Sequence, residues 1–441
     1  MAGGTFSPGE RKIRPGYYSR FVSEQQQLLG LSPKGVVIMP ILESDFFVFD
    51  GFIQITIDDI DDKFSKLGYH VTDPKAIKIR EILKNAIKVI VYNPQTGTKA
   101  SAKLGEVTFE AKYAGTRGNS LKVVIKASKT SKMFQVYLQD ELVFEQDGIT
   151  EYKDIRENDW ITVDGEGTVE VAAGIDLEGG TTVTATTSQI AEFLDDAETQ
   201  EFNVMYLPSE EPQIISLFDE KIRYFVDSVG KYVFGVRPLS TVKADYQFMS
   251  SIRNGVILND GTVLDATTAA AGYAGMSAAC QPYESLTYVK YQGAKDVHGK
   301  LKHNEIVEAL KGGEIVFTFQ DGNVVIEQDI NSLTTITKNL DESYKKNRVM
   351  RTYTEVQNLC TRVLRPNKYD NNDDGIAQVV DAINSQVLLN LQTLNALKNV
   401  DTATDVIVDF NKTKGDEFHA DVHIQPVDSI EKFYITFKTS Y

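Results

Sequence analysis

One segment of the sequence has oxygen-bearing side chains at the spacing of a calcium-binding loop. Asp370, Asn372 and Asp374 occupy positions 1, 3 and 5 of such a loop, and Asp381 occupies position 12. In loops of this kind, carboxylate and amide oxygens at these positions surround the ion, and a glycine at position 6 makes the sharp turn. Gly375 fills that position. The spacing makes this segment a candidate calcium site.

The same segment has a simpler interpretation, which we favour. An aspartate at position 12 is shorter than the glutamate that usually binds calcium there through both oxygens. Asp373 or Asp374 is instead predicted to cap a helix that starts near Ile376, in a polar connection between two helices. The sequence therefore predicts a helix start here and keeps the metal site as the alternative.

The motifs of common enzymes are missing from the chain. It has no phosphate-binding G-x-x-x-x-G-K-[ST], no G-x-G-x-x-G, no G-x-S-x-G and no H-E-x-x-H. His419 and His423 are four residues apart, but the segment between them alternates like a strand, which would separate them by about 13 Å. We predict no catalytic residue and no cofactor. An α/β-type hydrolase and a calcium-dependent adhesion module are kept as alternative functions.

Composition narrows the class of protein. The 441 residues are 42% hydrophobic and 24% charged, which is typical of folded domains rather than of a disordered chain. At roughly 100–200 residues per domain, this length predicts two to four domains. No run of 18 apolar residues and no secretory signal is visible, so no membrane contact is predicted. A net charge of −16 argues against nucleic-acid binding.

The charge is distributed unevenly along the chain. Residues 151–210 contain 15 acidic and two basic side chains, a balance of −13. Residues 343–369 contain seven basic side chains against Glu355 alone, a balance of +6. Two solvated surfaces would explain this, but separation on this scale more often indicates different neighbours for different domains. We predict that the basic residues contact an acidic partner. They are Lys345, Lys346, Arg348, Arg351, Arg362, Arg365 and Lys368.

Hydrophobic periodicity divides the chain into units. The β-branched runs Gly35–Pro40 and Phe52–Ile57, followed by a helix start at Asp73–Pro74, predict an α/β domain. Short alternating runs between turn signals then predict an inserted all-β module. The fold class is α+β multidomain, with a C-terminal α+β unit. The predicted bounds are 1–20 for an extended arm, 21–104 and 186–290 for the α/β domain, 105–185 for the β module and 291–441 for the C-terminal domain.

The C-terminal unit is predicted to contain two long helices, at about 343–364 and 376–398. It is predicted to close on two strands, Asp405–Asp409 and Phe433–Phe437. An apolar strand at a chain end needs a partner that covers its edge. The N-terminal arm has no periodic pattern and no expected partner in its own chain.

Several segments together resemble the contractile phage tail sheath proteins, of the type found in phages and phage-like particles of low-GC Gram-positive bacteria. The segments occur in the same order as in that family and span nearly the whole chain. No single segment is specific to the family, but the full set is. The loop Arg365–Tyr369 departs from the family pattern. The matching segments are Met1–Thr5 with Arg14–Tyr18, Gly68–Tyr69 with Thr72–Pro74 and Arg80–Leu83, Tyr113–Asn119, Asn254–Gly261, Gln328–Leu333 with Lys346–Arg351, and Ile424–Lys432.

The resemblance implies a structural protein rather than an enzyme. Sheath subunits of this family form hexameric rings that stack helically around an inner tube, and their contraction drives the tube through a target envelope. The implied partners are other copies of the chain, the inner tail tube protein, and baseplate and tail terminator proteins, with no nucleic acid. The implied location is a virion tail or phage-tail-like particle assembled in the bacterial host cytoplasm.

The resemblance also gives each part of the chain a place. The C-terminal domain would face the tube through the basic residues, and the β module would point outward. Both chain ends would donate strands to neighbouring subunits. The residues implied in this exchange are Arg14, Pro15, Gly16, Tyr17 and Tyr18 near one end and Phe433, Tyr434, Ile435, Thr436 and Phe437 near the other.

Overall fold

The computed structural model describes the backbone of residues 2–4, 16–18, 30–58, 64–128 and 131–439, and their side chains from residue 30 onward. The strands in chain order are β1 (Ala2–Gly4), β2 (Gly16–Tyr18), β3 (Val36–Pro40), β4 (Phe52–Thr56), β5 (Lys88–Tyr92), β6 (Thr96–Thr98), β7 (Ser101–Leu104), β8 (Val107–Ala111), β9 (Leu121–Ser128), β10 (Ser131–Leu138), β11 (Glu141–Ile149), β12 (Ile161–Asp164), β13 (Ala172–Asp176), β14 (Thr181–Val183), β15 (Val204–Tyr206), β16 (Phe234–Pro238), β17 (Met249–Ile252), β18 (Gly255–Leu258), β19 (Val263–Leu264), β20 (Ala294–His298), β21 (Glu314–Ile315), β22 (Phe317–Gln320), β23 (Asn323–Ile326), β24 (Val406–Val408) and β25 (Ala420–Val422).

Helices connect these strands, and two of them continue into π-helical segments. The α-helices are α1 (Phe64–Leu67), α2 (Ile77–Leu83), α3 (Thr187–Asp196), α4 (Pro212–Arg223), α5 (Ala266–Ala279), α6 (His303–Lys311), α7 (Asn347–Val363), α8 (Asp373–Ala382) and α9 (Leu389–Thr393). The π-helical segments are Tyr224–Val229 after α4 and Ile383–Leu388 after α8.

A seven-stranded sheet forms the centre of the molecule, in the order β21-β17-β16-β15-β3-β5-β4. All neighbouring strands in it are parallel except the edge strand β4, which runs antiparallel to β5. The strands are short and almost wholly buried, as expected where helices cover both faces of a parallel sheet. The sheet joins strands from before and after the β module. It also includes β21, which lies beyond residue 290, the predicted end of the α/β domain.

Helix α5 packs closely on this sheet because its residues are small. It contacts β15, β16 and α2, and it is buried almost along its whole length. A Cβ atom at Gly275 would collide with the carbonyl oxygen of Ile82, and one at Gly272 would collide with the hydroxyl of Tyr291. Glycine at these two positions therefore sets the distance between α5 and its neighbours.

The predicted helix start at Asp73–Pro74 is confirmed. Asp73 Oδ1 accepts a hydrogen bond from the Lys75 amide, and Pro74 begins a 3-10 turn that leads into α2. Ile79 and Ile82 lie on the buried face, as the helical pattern predicts. The spacing of the apolar residues also places Ile87 on this face, but it is 49% exposed because the helix ends at Leu83 and the chain turns before β5.

The inserted module is a β-sandwich. One sheet has the order β11-β10-β9-β13 and the other β12-β8-β7, and a separate β6–β14 pair joins the ends of the module. Their inner faces bury a core that includes Phe109, Phe134 and Val136. Strands β6 and β7 precede residue 105, the start predicted for the module, and this residue lies in the turn of the β7–β8 hairpin.

Arg117 anchors the sandwich to the central domain. Its side chain is 8% exposed, its Nε donates to the carbonyl of Gly68 at 2.8 Å, and its guanidinium lies 4.0 Å from the ring centroid of Tyr69. Nearby, Thr116 Oγ1 donates to the carbonyl of Ser44 at 3.1 Å. These contacts fill the junction with hydrogen-bonded groups, so the two domains meet through a specific contact rather than a free linker.

The C-terminal unit has its own core between α7, α8, the π-helical segment after α8, and α9. Leu359, Val387 and Leu391 are buried in this core, whereas Met350 at the other end of α7 belongs to the central core. Helix α7 therefore links the two cores. Strands β24 and β25 form a separate antiparallel pair, which confirms the strand predicted at Asp405–Asp409.

The strand predicted at Phe433–Phe437 is not formed within the chain. Residues 423–439 contain no assigned helix or strand. A strand is defined by its hydrogen-bonded partner, and no other described segment of this chain pairs with these residues. The apolar alternation is present, but the described residues include no strand that pairs with it.

Candidate assembly surfaces

The root of the C-terminal tail is fixed by Glu431. Its side chain is 9% exposed and accepts hydrogen bonds from Thr287 Oγ1 and Gln328 Nε2, each at 2.7 Å, and it pairs with Lys346 Nζ. Burial raises the pKa of Glu431, but the hydrogen bonds from Lys346, Gln328 and Thr287 outweigh it and leave that pKa below its ordinary value. Ser429 Oγ accepts from Arg348 Nη1 at 2.8 Å. Two residues of the root are thus held by the start of α7.

Beyond this root the tail leaves the body of the protein. Residues 432–439 are all exposed. Phe433 is 74% exposed, Tyr434 90%, Ile435 69% and Phe437 87%. Three large apolar side chains at alternating positions would occupy one face of a strand. Such a segment in water is expected to mark a site of association.

The strand pair β24–β25 offers a surface suited to binding an apolar strand such as this tail. Its two strands form a sheet of their own, so both outer edges lack a strand partner among the described residues. Ile407, Phe410 and Val422 are 52%, 66% and 38% exposed. A groove of about 620 Å³ lies beside β24, between Val408, Phe410 and α8. The hairpin and groove present open backbone groups next to apolar surface.

The N-terminal arm contains two short strands. β1 and β2 pair in parallel, with Ala2 opposite Gly16 and Gly4 opposite Tyr18. The arm was expected to have no partner in its own chain, but at these six residues it pairs with itself. Arg14 and Pro15, which were implied in strand exchange, lie outside the described residues.

Arg351 does not reach the surface. It is 3% exposed, and its Nη1 lies 2.8 Å from Oδ2 of Asp329, itself 1% exposed. Asn347 Nδ2 also donates to Asp329, at 3.1 Å. The structure therefore corrects the prediction that Arg351 contacts a partner, because its charge is neutralised inside the chain.

Most of the other basic residues in this segment also contact their own chain. Lys346 and Arg348 hold the tail root, and Lys345 lies 3.9 Å from Glu342. The three at or beyond the C-terminal end of α7 are exposed, and each donates a hydrogen bond to a backbone carbonyl. They are Arg362, Arg365 and Lys368.

The single acidic residue of the basic segment is buried and paired with a lysine. Glu355 is fully buried, and its Oε2 lies 2.8 Å from Lys34 Nζ. Its Oε1 accepts a hydrogen bond from the Ser32 amide at 2.7 Å. Leu31 packs in the C-terminal core beside α7, and Arg362 donates to the carbonyl of Gly30. The chain that enters from the N-terminal arm is therefore fixed along the second half of α7.

The candidate calcium loop is a helix start. Asn372 caps α8 by accepting from the Gly375 amide at 2.8 Å, so the cap is Asn372 rather than Asp373 or Asp374. From Asp374 to Asp381 the helix rises by roughly 10 Å, which prevents both carboxylates from meeting one ion. No cluster of three or more metal-ligating His, Cys, Asp or Glu side chains occurs in the described ranges. Asp370 and Asn372 therefore belong to the start of a helix, as the favoured interpretation predicts, and this geometry does not support the calcium alternative.

Sequence reasoning missed Glu431, Glu355 and Asp329. A lone carboxylate within a basic run, as at Glu355, is a usable signal of an internal ion pair. The partners of Arg351 and Lys346 are 22 and 85 residues away, and only the fold brings them together.

Comparison with known proteins defines the class of these three parts. The model of the phage tail sheath β-sandwich domain matches residues 95–184, that of the central domain matches 184–332, and that of the C-terminal domain matches 339–440. The fold is thus a multidomain sheath fold. A phage-like element PBSX protein, XkdK of Bacillus subtilis, is 33% identical over 467 residues, covering 98% of this chain and 99% of that protein.

Solved structures of sheath proteins have the same fold as this chain. A sheath tail protein from Desulfitobacterium hafniense is 32% identical with a TM-score of 0.84, over 95% of this chain and 99% of that one. A sheath tail protein from Listeria innocua is 30% identical with a TM-score of 0.76, over 92% and 95%. The contracted helical sheath of the anti-feeding prophage shares the fold alone, at 12% identity and a TM-score of 0.58, over 98% and 100%. The chain belongs to the phage tail sheath protein family.

This membership makes the chain a phage tail sheath protein, in a family of structural proteins. In the described part of the chain, no helix is both long and apolar enough to cross a membrane.

Proposed function

We propose that copies of this chain polymerise as stacked hexameric rings around an inner tube, and that contraction of this sheath drives the tube through a target cell envelope. The observation that carries the proposal is the tail after Glu431, where a fixed root is followed by an exposed, alternating apolar segment. A monomer gains nothing from such a segment. A polymer gains a link to the next subunit.

The proposed acceptor of this tail is the β24–β25 hairpin of a neighbouring copy. Its open edges supply backbone hydrogen bonds, and the groove beside β24 supplies apolar surface for one face of the incoming strand. Lys432 and Lys438 flank the apolar run, and Asp373 and Asp381 line the groove, so their charges are complementary. The N-terminal arm, including Gly16, Tyr17 and Tyr18, is proposed to make a second link.

The proposed tube contact is narrower than the basic segment as a whole. It consists of Arg362, Arg365 and Lys368, because these residues are exposed whereas Arg351 is not. Exposed charge pairs contribute about 0–1 kcal/mol each and weaken with salt, so such a surface would hold an extended sheath without locking it. Contraction would exchange tube contacts for sheath contacts while each subunit moves as a rigid body on its arms.

The remaining partners follow from the same proposal. They are other copies of the chain, the inner tail tube protein, and baseplate and tail terminator proteins, in a virion tail or phage-tail-like particle assembled in the host cytoplasm. The hydrolase alternative has no motif to support it, and the adhesion alternative depended on the calcium loop.

Electron microscopy of the purified chain, with and without its tube protein, tests the proposal. The expected result is striated tubes of stacked rings. Deletion of residues 1–16 should leave a folded subunit that forms only short assemblies, as judged by circular dichroism and micrographs of the same sample. Unchanged long sheaths after this deletion would remove the N-terminal arm from the linkage, and absence of any tubes from the full chain would contradict the proposal.

A further inference from the structure

Helix α7 contacts the roots of both chain ends along one face. Arg348 holds Ser429 at the C-terminal root, and Glu355 holds Ser32 and Lys34 at the N-terminal root. Arg351 lies between them and pairs with Asp329.

The spacing places these contacts in a single row. At about 100° per residue, Arg348, Arg351, Glu355 and Arg362 fall within roughly 60° of one another around the helix axis. The row is about 21 Å long at the helical rise of roughly 1.5 Å per residue. Within this row Arg351 and Glu355 are buried and each is paired with an opposite charge, whereas Arg348 is half-buried and Arg362 is exposed.

The two roots are held by ion pairs of opposite polarity. At the C-terminal root the tail supplies the carboxylate, Glu431, and the residue preceding α7 supplies the cation, Lys346. At the N-terminal root the arm side supplies the cation, Lys34, and α7 supplies the carboxylate, Glu355. The pairs are at most 20% exposed on either partner. They therefore keep more of their strength than surface pairs do.

The C-terminal root is also connected to the buried pair in the middle of the row. The Asp329 amide donates to Thr287 Oγ1 at 2.9 Å, and the Thr287 hydroxyl donates to Glu431 at 2.7 Å. Gln328, the neighbour of Asp329, donates to the other oxygen of Glu431. A continuous set of hydrogen bonds thus runs from the tail root to the centre of α7.

We infer that α7 is a strut that couples the two linking ends of each subunit, with Glu431 and Glu355 as the positioning residues that attach the ends to it. This rests on the proposed function, because the coupling has a purpose only where both ends bind neighbours. Force applied to one arm is then transmitted to the other arm along α7. The two attachments act in series, so weakening either one weakens the connection.

Two single variants and their combination test the inference. Glu431→Gln and Glu355→Gln each remove one charge from a root, and Glu81→Gln is the matched control. Glu81 is also a fully buried carboxylate paired with a lysine, Lys84 at 2.6 Å, but it lies in the central domain. Each root variant is expected to shorten the mean sheath length in micrographs about tenfold, the size typical of a lost hydrogen bond to a charged group. The control is expected to assemble at wild-type length.

The combined variant separates coupling from independent contacts. If the two attachments act in series, the sheaths of the double variant Glu431→Gln/Glu355→Gln should be no shorter than those of the more severe single variant. If the two effects on sheath length multiply instead, α7 does not act as a strut. Root variants that assemble like Glu81→Gln would also overturn it. If a glutamine variant does not fold, a variant of the partner residue is used instead. Gln328→Leu removes one partner of Glu431, and Lys34→Met removes one partner of Glu355. Failure of the wild-type chain to form sheaths would instead contradict the proposed function itself.

Discussion

Arg351 and Asp329 form a buried, two-pronged ion pair, with Nη1 to Oδ2 at 2.8 Å and Nη2 to Oδ1 at 3.3 Å. Burial raises the pKa of Asp329, but the Arg351 guanidinium and the hydrogen bonds from Leu286 and Asn347 outweigh it, so that pKa lies below its ordinary value. The pair connects the segment before α7 to α7 itself. It sits where the central core meets the C-terminal unit.

Asp329→Asn should be strongly destabilising, because it leaves the Arg351 charge buried without a partner. Breaking one side of a buried pair typically costs about 3–5 kcal/mol. Urea unfolding of the soluble subunit measures the change. The control is Glu308→Gln, which breaks the exposed pair with Lys311 and should cost less than about 1 kcal/mol. Equal losses in the two variants would contradict the role given to the buried pair.

The strands of the central sheet and the start of α2 could be predicted from the sequence, because they depend on local patterns. Val36–Pro40 is a continuous apolar run, and Asp73–Pro74 places a cap and a proline where a helix begins. Such signals need no knowledge of distant residues.

The errors concern residues whose state depends on distant partners. A run of positive charge does not show which members are buried, and Arg351 is buried because Asp329 folds against it. The tail Phe433–Phe437 has the pattern of a strand but no described strand beside it. Ile87 has the right spacing for the α2 face, but the helix ends four residues earlier.

Asp245 is expected to make the connection between the central and C-terminal domains sensitive to acid. It accepts hydrogen bonds from the Thr334 and Thr335 amides, at 2.6 and 2.9 Å, between the ranges matched by the two family domains. Burial raises the pKa of Asp245, but hydrogen bonds from Thr335 and Thr334 outweigh this and lower it to about 2. A carboxylate with a lowered pKa in the folded state stabilises the fold above its unfolded pKa, and this contribution is lost as the pH falls toward the folded value.

Asp245→Asn tests this expectation. Asn tolerates the left-handed backbone at this position, where φ is 44°, so the substitution removes the charge without backbone strain. The variant should be about 1–3 kcal/mol less stable than wild type near pH 6. In urea unfolding, the difference should shrink as the pH falls from about 4 to about 2. A difference that stays constant over that range would show that the Asp245 charge is not responsible.

The apolar face of the tail should control assembly but not folding. Phe433, Ile435 and Phe437 are each at least 69% exposed, so replacing them with Asp should change the free energy of unfolding by less than about 0.5 kcal/mol. The same triple variant should abolish long sheaths, because three charges would enter an apolar acceptor surface. Thr436→Asp, on the other face of the strand, is the control and should still assemble. Sheaths of normal length from the triple variant would contradict tail exchange.

Reversal of the exposed basic residues at the end of α7 should weaken the contact with the tube. The variant replaces Arg362, Arg365 and Lys368 with Glu, and the matched control replaces three exposed lysines of the sandwich, Lys103, Lys126 and Lys153. Both carry the same change in net charge, so a general effect of charge would appear in both. Co-sedimentation with the tube protein should fall only for the first variant, and raising the salt concentration should reduce wild-type binding toward the level of that variant, since exposed charges are screened. Tube binding that is the same in both variants would place the contact elsewhere on the C-terminal domain.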